Sequence, residues 1–385
     1  MIAYAFTDMR LMRYASALAE RGDHVDILAL RREGQEPFEV IDGVNVYRIQ
    51  LRRKNEKWRF SYLFRILRFL LHSGFTIAGR HVWNRYDVIH VHSVPDFLVF
   101  AAAVPKLMGA RIILDIHDIL PEFYASKFGI SADSLAFKAL LLTERISIAF
   151  SDHVIIANHL WQARLLWRSV NSGKCTVFTN YPDPRWFSPR SNDGSRDKFI
   201  ILYPGTLNKH QGVDIAVHAF ARVAGEMPGA EFHIYGEGPE KPALLRLGTQ
   251  LGLTDRLIFH EPVPEAEIAT VMAKAELGVV PKKASSAFGN EAASTKIMEF
   301  MYVGVPVIVS RTKVDQYYHD SSRVRFFESE NVTELAEAML ELWKDPVLRR
   351  KLAASAAKYA ELNSWEQKKF EYLQLVDNLR HAESR

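Results

Sequence analysis

Two glutamates eight positions apart, Glu291 and Glu299, lie in the segment that carries the densest chemistry of the chain, FGNEAASTKIMEFMYVGVPVIVS over 288–310. Ser294 or Thr295 is a fair N-cap for a helix running to Tyr302, Gly304 ends it, and 305–309 reads as the next buried strand. Glu291 then lies in a loop just ahead of a helix N-terminus, and Glu299 about one turn inside the helix. The backbone N–H groups at such an N-terminus, aided by the helix dipole, suit a diphosphate, and Lys296 adds positive charge. The paired acceptor oxygens of Glu299 could grip vicinal ribose hydroxyls. Glu291, placed ahead of the phosphates, would face a sugar.

Other segments carry smaller signals. YPGTLNKHQGVDI offers Gly205, Thr206, Lys209 and Gly212 in a loop after a strand, and IYGEGPE offers Gly236 and Gly238 for close backbone approach to a nucleotide. A lone G-x-G is weak by itself. LDIHDILPE puts His117 at the C-terminal tip of a strand, the edge where open α/β sheets bind ligands, with Asp118 next to it. His90 and His92 alternate in VIHVHS, but no carboxylate or third histidine follows at metal-ligand spacing. They read as packing or substrate-shaping residues, and no metal site is expected. In TDMRLMR, Asp8 and Arg10 either contact an acceptor or cap and charge the following helix.

The run from Glu291 to Glu299, followed by Gly304, Pro306 and Val307, resembles the E-x7-E signature of family 4 retaining glycosyltransferases of the GT-B architecture. The resemblance extends over nearly the whole chain. It implies two Rossmann-like domains with a nucleotide-binding cleft between them, a UDP- or GDP-linked sugar as donor substrate, and neither cofactor nor metal. It also implies Glu291 and His117 at the donor sugar as catalytic residues, Glu299 on the ribose, and Thr295 and Lys296 facing the phosphates. The loop at 203–215 is similar to the family's G-R-L…K-G loop. Gly205 and Gly212 match, whereas Thr206 stands in place of the arginine and Gln211 in place of the lysine. A diphosphate leaving without a metal needs positive charge aimed at it, so Lys209 and Lys296 become the candidates. The implied reaction moves the sugar with retention, by front-face substitution, to a lipid-linked or polysaccharide acceptor in cell-surface glycan synthesis. A sugar-nucleotide epimerase or phosphorylase of the same fold, or a membrane scaffold without turnover, are the competing readings.

The elements that must position these residues follow a βα alternation from end to end. Strands are expected at 2–6, 24–30, 88–92, 111–116 and 153–157, and again at 199–203, 231–235, 256–260, 277–281 and 305–310. Most are continuous apolar runs, as parallel strands covered on both faces should be. The fold class is therefore α/β. At 385 residues the chain exceeds one ordinary core. The proline-rich and then polar stretch NYPDPRWFSPRSNDGSRDK marks a break. The expected division is an N-terminal acceptor domain over 1–182, a linker over 183–198, a donor-nucleotide domain over 199–362, and a helix over 363–385 that crosses back, anchored by Trp365.

Composition excludes several classes. A net charge of +4 is too small to argue for nucleic acid. The single cysteine, Cys175, allows no intrachain disulfide. The N-terminus lacks a basic n-region followed by an apolar h-region, and the greasiest run, 66–77, is broken by Arg68, His72 and Gly74. A cytoplasmic location is expected. The segment 51–86 is the exception, with nine lysines and arginines against Glu56 as its one glutamate. On a helix over 58–72, Phe60, Leu63, Phe64, Ile66, Leu67, Leu70 and Leu71 share a face, Ser61, Arg65, Arg68 and His72 lie opposite, and Trp58, Tyr62 and Phe69 flank it. Such a helix suits either peripheral contact with the anionic inner face of the cytoplasmic membrane or ordinary packing on the sheet.

Overall fold

The computed structural model describes residues 1–4, 9–52, 59–93, 95–183, 185–189, 198–285 and 287–382. Asp8 lies outside them. The chain forms two compact units, Met1–Asn180 with Lys368–Arg385, and Tyr181–Gln367. Part of the expected linker belongs to the second unit: Phe187 is buried there among Ile297, Phe300 and Met301.

In the first unit the described strands are β1 (Ile2–Ala3), β2 (Asp26–Arg31), β3 (Phe38–Ile41), β4 (Val44–Leu51), β5 (Val88–His92), β6 (Arg111–Ile116), β7 (His153–Ile156) and β8 (Cys175–Val177). Their order is β3-β4-β2-β1-β5-β6-β7-β8, parallel except for the antiparallel β3–β4 pair. In the second unit β9 (Phe199–Pro204), β10 (Ala230–Tyr235), β11 (Leu257–His260), β12 (Leu277–Val280), β13 (Val307–Ser310) and β14 (Arg325–Phe327) run parallel in the order β11-β10-β9-β12-β13-β14. Both are doubly wound Rossmann-like sheets. The direction of winding reverses between β1 and β5 and between β9 and β12, the points where such sheets receive ligands beyond their C-terminal ends. The apolar runs behave as expected: all four residues of β7, β12 and β13 are buried.

The β3–β4 hairpin escaped the sequence reading although its turn is explicit. Asp42 and Gly43 connect the strands, both with positive φ (48° and 77°), as a two-residue primed turn requires.

The basic segment folds as one helix, Arg59–Asn84, far longer than expected. It has two faces. Ile66, Phe69, Ser73, Ile77 and His81 point into the unit. Phe69 is thus a core residue, packed edge-on to Tyr4 at 5.3 Å, and does not flank an apolar face. Leu63, Phe64, Leu67, Leu71, Phe75, Val82 and Trp83 point outward, on the same side as Arg68 and His72. The apolar residues are therefore divided between core and surface instead of sharing one face. Arg80 is withdrawn from the basic surface, because it binds the buried Asp26 at 2.9 Å and lies over the Tyr47 ring. No helix among the described residues is long and apolar enough to cross a membrane.

Buried acids brace the C-terminal side of the first sheet. Arg168 joins Glu122 and Glu144, with hydrogen bonds of 3.0 Å from Nη2 to Glu122 Oε2 and 2.9 Å from Nε to Glu144 Oε1. Nearby Asp96 is buried, and its Oδ1 has no hydrogen-bond partner. Burial, with Glu144 adding repulsion, pushes its pKa up to about 7. Between its ordinary pKa of 3.8 and about 7 the folded chain holds a proton that the unfolded chain has released, so stability falls as pH rises through that window. Asp96→Asn is therefore expected to stabilise the protein increasingly from pH 4 to 7 and by a constant amount above, with a ceiling of about 4 kcal/mol. Urea unfolding of both proteins at pH 5 and pH 8 measures it. Equal differences at the two values would refute the assignment.

Candidate active site

In the second unit the loop after β9 is held by close backbone contacts. Gly205 N–H donates to Tyr235 O (2.8 Å) and Leu207 N–H to Glu237 O (2.9 Å), tying this loop to the turn after β10. A Cβ at Gly236 would overlap the carbonyl of Gly205, and one at Gly238 the backbone of Leu207. Gly212, at φ 66°, opens the helix Val213–Val223 with its Cα side against the carbonyl of Pro281. Lys283 N–H closes the ring by donating to His210 O at 2.9 Å. The glycines singled out in the sequence thus serve contact between loops at the reversal point between β9 and β12.

The segment with the two glutamates meets this loop. The helix Thr295–Tyr302 has Ser294 as N-cap, yet the Ser294 hydroxyl makes no capping bond and has no partner. Lys296 lies along Gly205, where a Cβ would collide with its Cε, and its Nζ is 3.4 Å from Gln211 Oε1. The lysine from the helix therefore reaches the loop that carries Thr206 and Gln211. Burial lowers the pKa of Lys296 to about 8, with Glu299 acting against the shift. Lys209 and Thr206 are exposed. Burial, with Lys296 and Lys282 beside it, also lowers the pKa of His210.

Glu291 ends a short helix, Ala287–Glu291, instead of lying in an open loop, and it is buried. A residue the sequence reading missed holds the chain there. Lys282, 3 % exposed, donates to Ala292 O (2.7 Å) and pairs with buried Asp315 (2.9 Å). Its signal was a lysine directly after an apolar strand, which is easily taken for a surface charge.

In the first unit His117 and Asp118 follow β6 and are partly buried. His117 Nε2 is 3.3 Å from Asp115 Oδ2 and 3.1 Å from His92 Nδ1. The carboxylate missing from the sequence spacing of His90 and His92 is therefore supplied by the next strand, and ligand-type atoms of His90, His92 and Asp115 lie within 4.8 Å of one another. Asp115 is nonetheless the counter-ion of Arg10, through Nε to Oδ2 and Nη2 to Oδ1, each at 2.7 Å. A dication on that carboxylate would stand against a guanidinium. Arg10 is 1 % exposed and also donates to Phe178 O and Asn180 Oδ1, so it neither reaches for an acceptor nor charges a helix end. That expectation is corrected: Arg10 is an interior ion-pair residue.

Residues 8–181 match the family model for a glycosyl transferase 4-like domain, and residues 184–360 that for glycosyl transferases group 1. The D-inositol 3-phosphate glycosyltransferase of Thermomonospora curvata is 24 % identical over 383 residues, covering 92 % of this chain and 86 % of that protein. Among solved structures, sucrose-phosphate synthase from Thermosynechococcus elongatus superposes with a TM-score of 0.77 at 18 % identity, covering 98 % of each chain. Anabaena HepE in complex with UDP and glucose does so at 0.71 and 16 % identity, over 98 % of this chain and 99 % of that one. The fold is GT-B, and the chain belongs to the glycosyltransferases whose two halves these family models describe.

The loop contacts generate a direct expectation. Gly236→Ala must push against backbone and should lower stability by about 1–3 kcal/mol. Gly225→Ala, with nothing within 4 Å of its Cβ, should stay within about 0.5 kcal/mol of wild type. Urea unfolding compares them, and equal midpoints would contradict the packing.

Proposed function

We propose that this glycosyltransferase moves a sugar from a UDP- or GDP-linked donor, with retention and without a metal, to a lipid-linked or polysaccharide acceptor of the cell surface. The observation that carries the donor half is Lys296. Its ammonium lies on Gly205 at the sheet reversal point, where charge from a helix meets a loop that lacks basic residues at Thr206 and Gln211. Thr295 and the backbone N–H groups of the same helix add donors for a diphosphate, and Glu299 follows Lys296 by three residues, one helical turn towards a ribose. Gly236 and Gly238 let the turn after β10 close on the same loop, so backbone of both segments lies beside the proposed nucleotide position. That HepE carries UDP in the same fold supports a nucleotide donor. Glu291 takes the sugar end in the second unit, and His117 is the proposed sugar-binding residue of the first. In this reading the leaving diphosphate accepts the acceptor's proton, and the protein contributes orientation and positive charge.

Lys296 makes the donor reading measurable. A bound diphosphate favours the charged amine and raises its pKa above about 8, so binding takes up a proton. Nucleotide affinity should be greatest below pH 8 and decline as pH rises above it, and Lys296→Met should weaken binding and flatten the profile. Glu299→Ala should cost about 2–3 kcal/mol in nucleotide binding, while Glu291→Ala should mainly lower turnover. Calorimetry with UDP and GDP, and transfer assays in excess chelator, test the set. Wild-type affinity in both the Lys296 and Glu299 variants would sink the donor site, and transfer that stops in chelator and returns with metal would sink the metal-free reaction.

The acceptor half rests on the outward face of the helix Arg59–Asn84. Phe64 (67 %), Leu71 (61 %) and Phe75 (77 %) are exposed in register, with Arg68 on the same side and exposed Arg52 and Arg85 beyond the helix ends. Apolar side chains with flanking cations complement an anionic bilayer, each cation contributing about 1 kcal/mol near the surface. The protein then acts at the inner face of the cytoplasmic membrane. Flotation with vesicles containing anionic lipid should carry wild type at low salt, and Phe64→Ser with Leu71→Ser and Phe75→Ser should abolish it. If wild type stays in solution, a soluble acceptor replaces the lipid-linked one.

A further inference from the structure

The ammonium of Lys296 is held by the loop after β9 from three sides. Gly205 leaves the space that the lysine fills, since a Cβ there would overlap its Cε and lie 2.9 Å from its Nζ. The ring of fully buried Tyr203 has its centroid 5.4 Å from Nζ, within cation–π range. Gln211 Oε1 lies 3.4 Å from Nζ and is its one hydrogen-bond partner among the described residues. That contact is long, so it supplies chiefly the attraction of a charge to an amide dipole. The amide has neighbours at both of its polar atoms. Nε2 is 3.1 Å from His210 Nε2, and Oε1 is 3.2 Å from the hydroxyl of Tyr203. An ammonium can only donate, so the oxygen is the end of the amide that faces Lys296.

We infer that Gln211 is a positioning residue for Lys296, its amide oxygen holding the ammonium over Gly205, where a donor diphosphate would meet it. This rests on the reading of Lys296 as the cation of the donor site. The chemistry asks for a neutral acceptor at position 211. An apolar side chain there would leave the ammonium with less to offset its burial, a carboxylate would neutralise it, and a second ammonium would repel it. The other charges around Lys296 come from several elements. Glu299 of its own helix and Asp315 of the helix Lys313–Tyr318 favour the charged amine, whereas Lys282 after β12 opposes it. His210 stands on the far side of the Gln211 amide, and Lys296 helps to lower its pKa. Burial outweighs these charges and sets the pKa of Lys296 at about 8, so a change in its acceptor alters its charge near neutral pH.

The amine can be followed without any nucleotide. Carbon-13 NMR of lysine-labelled protein, with Lys296 assigned by the signal lost in Lys296→Met, gives its titration midpoint. Gln211→Met should lower that midpoint by about half a pH unit or more, and Gln211→Glu should raise it by about one unit or more. A midpoint within about 0.2 unit of wild type in either variant overturns the positioning role. If Gln211→Met does not fold, Gln211→Glu, which keeps the shape of the side chain, decides alone. Calorimetry with UDP and GDP is the second arm. Gln211→Met should weaken the tighter-binding nucleotide about fivefold in the wild-type chain but less than about twofold in Lys296→Met, because its effect passes through the amine. No loss in the wild-type chain, or losses that multiply in the double variant, would overturn the proposal. Unchanged affinity in Lys296→Met refutes the donor-site reading instead, and the titration midpoints then decide on Gln211.

Discussion

A strand covered on both faces has no room for an uncompensated charge, and this constraint shapes the first unit. β5 and β6 are buried almost throughout, yet they carry His90, His92 and Asp115. Taking a carboxylate and a guanidinium out of water costs several kcal/mol per ion, and only good geometry with further hydrogen bonds offsets it. Asp115 has both. Arg10 meets it with two bonds and uses its remaining donors on Phe178 O and Asn180. One ion pair thereby ties the helix Met9–Arg21, the central sheet and the chain following β8. His117 Nε2 lies 3.3 Å from the same carboxylate.

The second unit meets a related demand by different means. Its loops must bring polar backbone together beyond β9, β10 and β12, and glycines at 205, 236 and 238 permit carbonyl and Cα to touch. The cation there comes from a helix. Lys296 crosses to Gly205, and the buried Lys282–Asp315 pair holds the chain after Glu291. The loop that carries Thr206 and Gln211 is thus met by a charge from elsewhere in the fold. The cost is visible in the lowered pKa of Lys296, since burial desolvates its ammonium.

How much of this was legible depends on the range of each interaction. Local signals determined the alternation of strands and helices, the two sheets, the helix Thr295–Tyr302 and the placement of His117 at a strand end, because apolar runs, caps and glycines act within a few residues. The Asp-Gly turn at 42–43 was equally local and went unread. In contrast, Phe69 and Arg80 are assigned to the interior only because the helix Arg59–Asn84 packs with one stripe against the unit and leaves the other outside. Periodicity places residues on a helix but does not say which side the sheet will take. Arg10 with Asp115, Lys296 with Gly205, and Lys282 with Asp315 join residues 105, 91 and 33 positions apart. The sequence by itself determined the class of fold and the family-like segments, since those depend on neighbours along the chain. Only the tertiary structure decided which charges are buried pairs, because pairing depends on distances that strand order and register alone create.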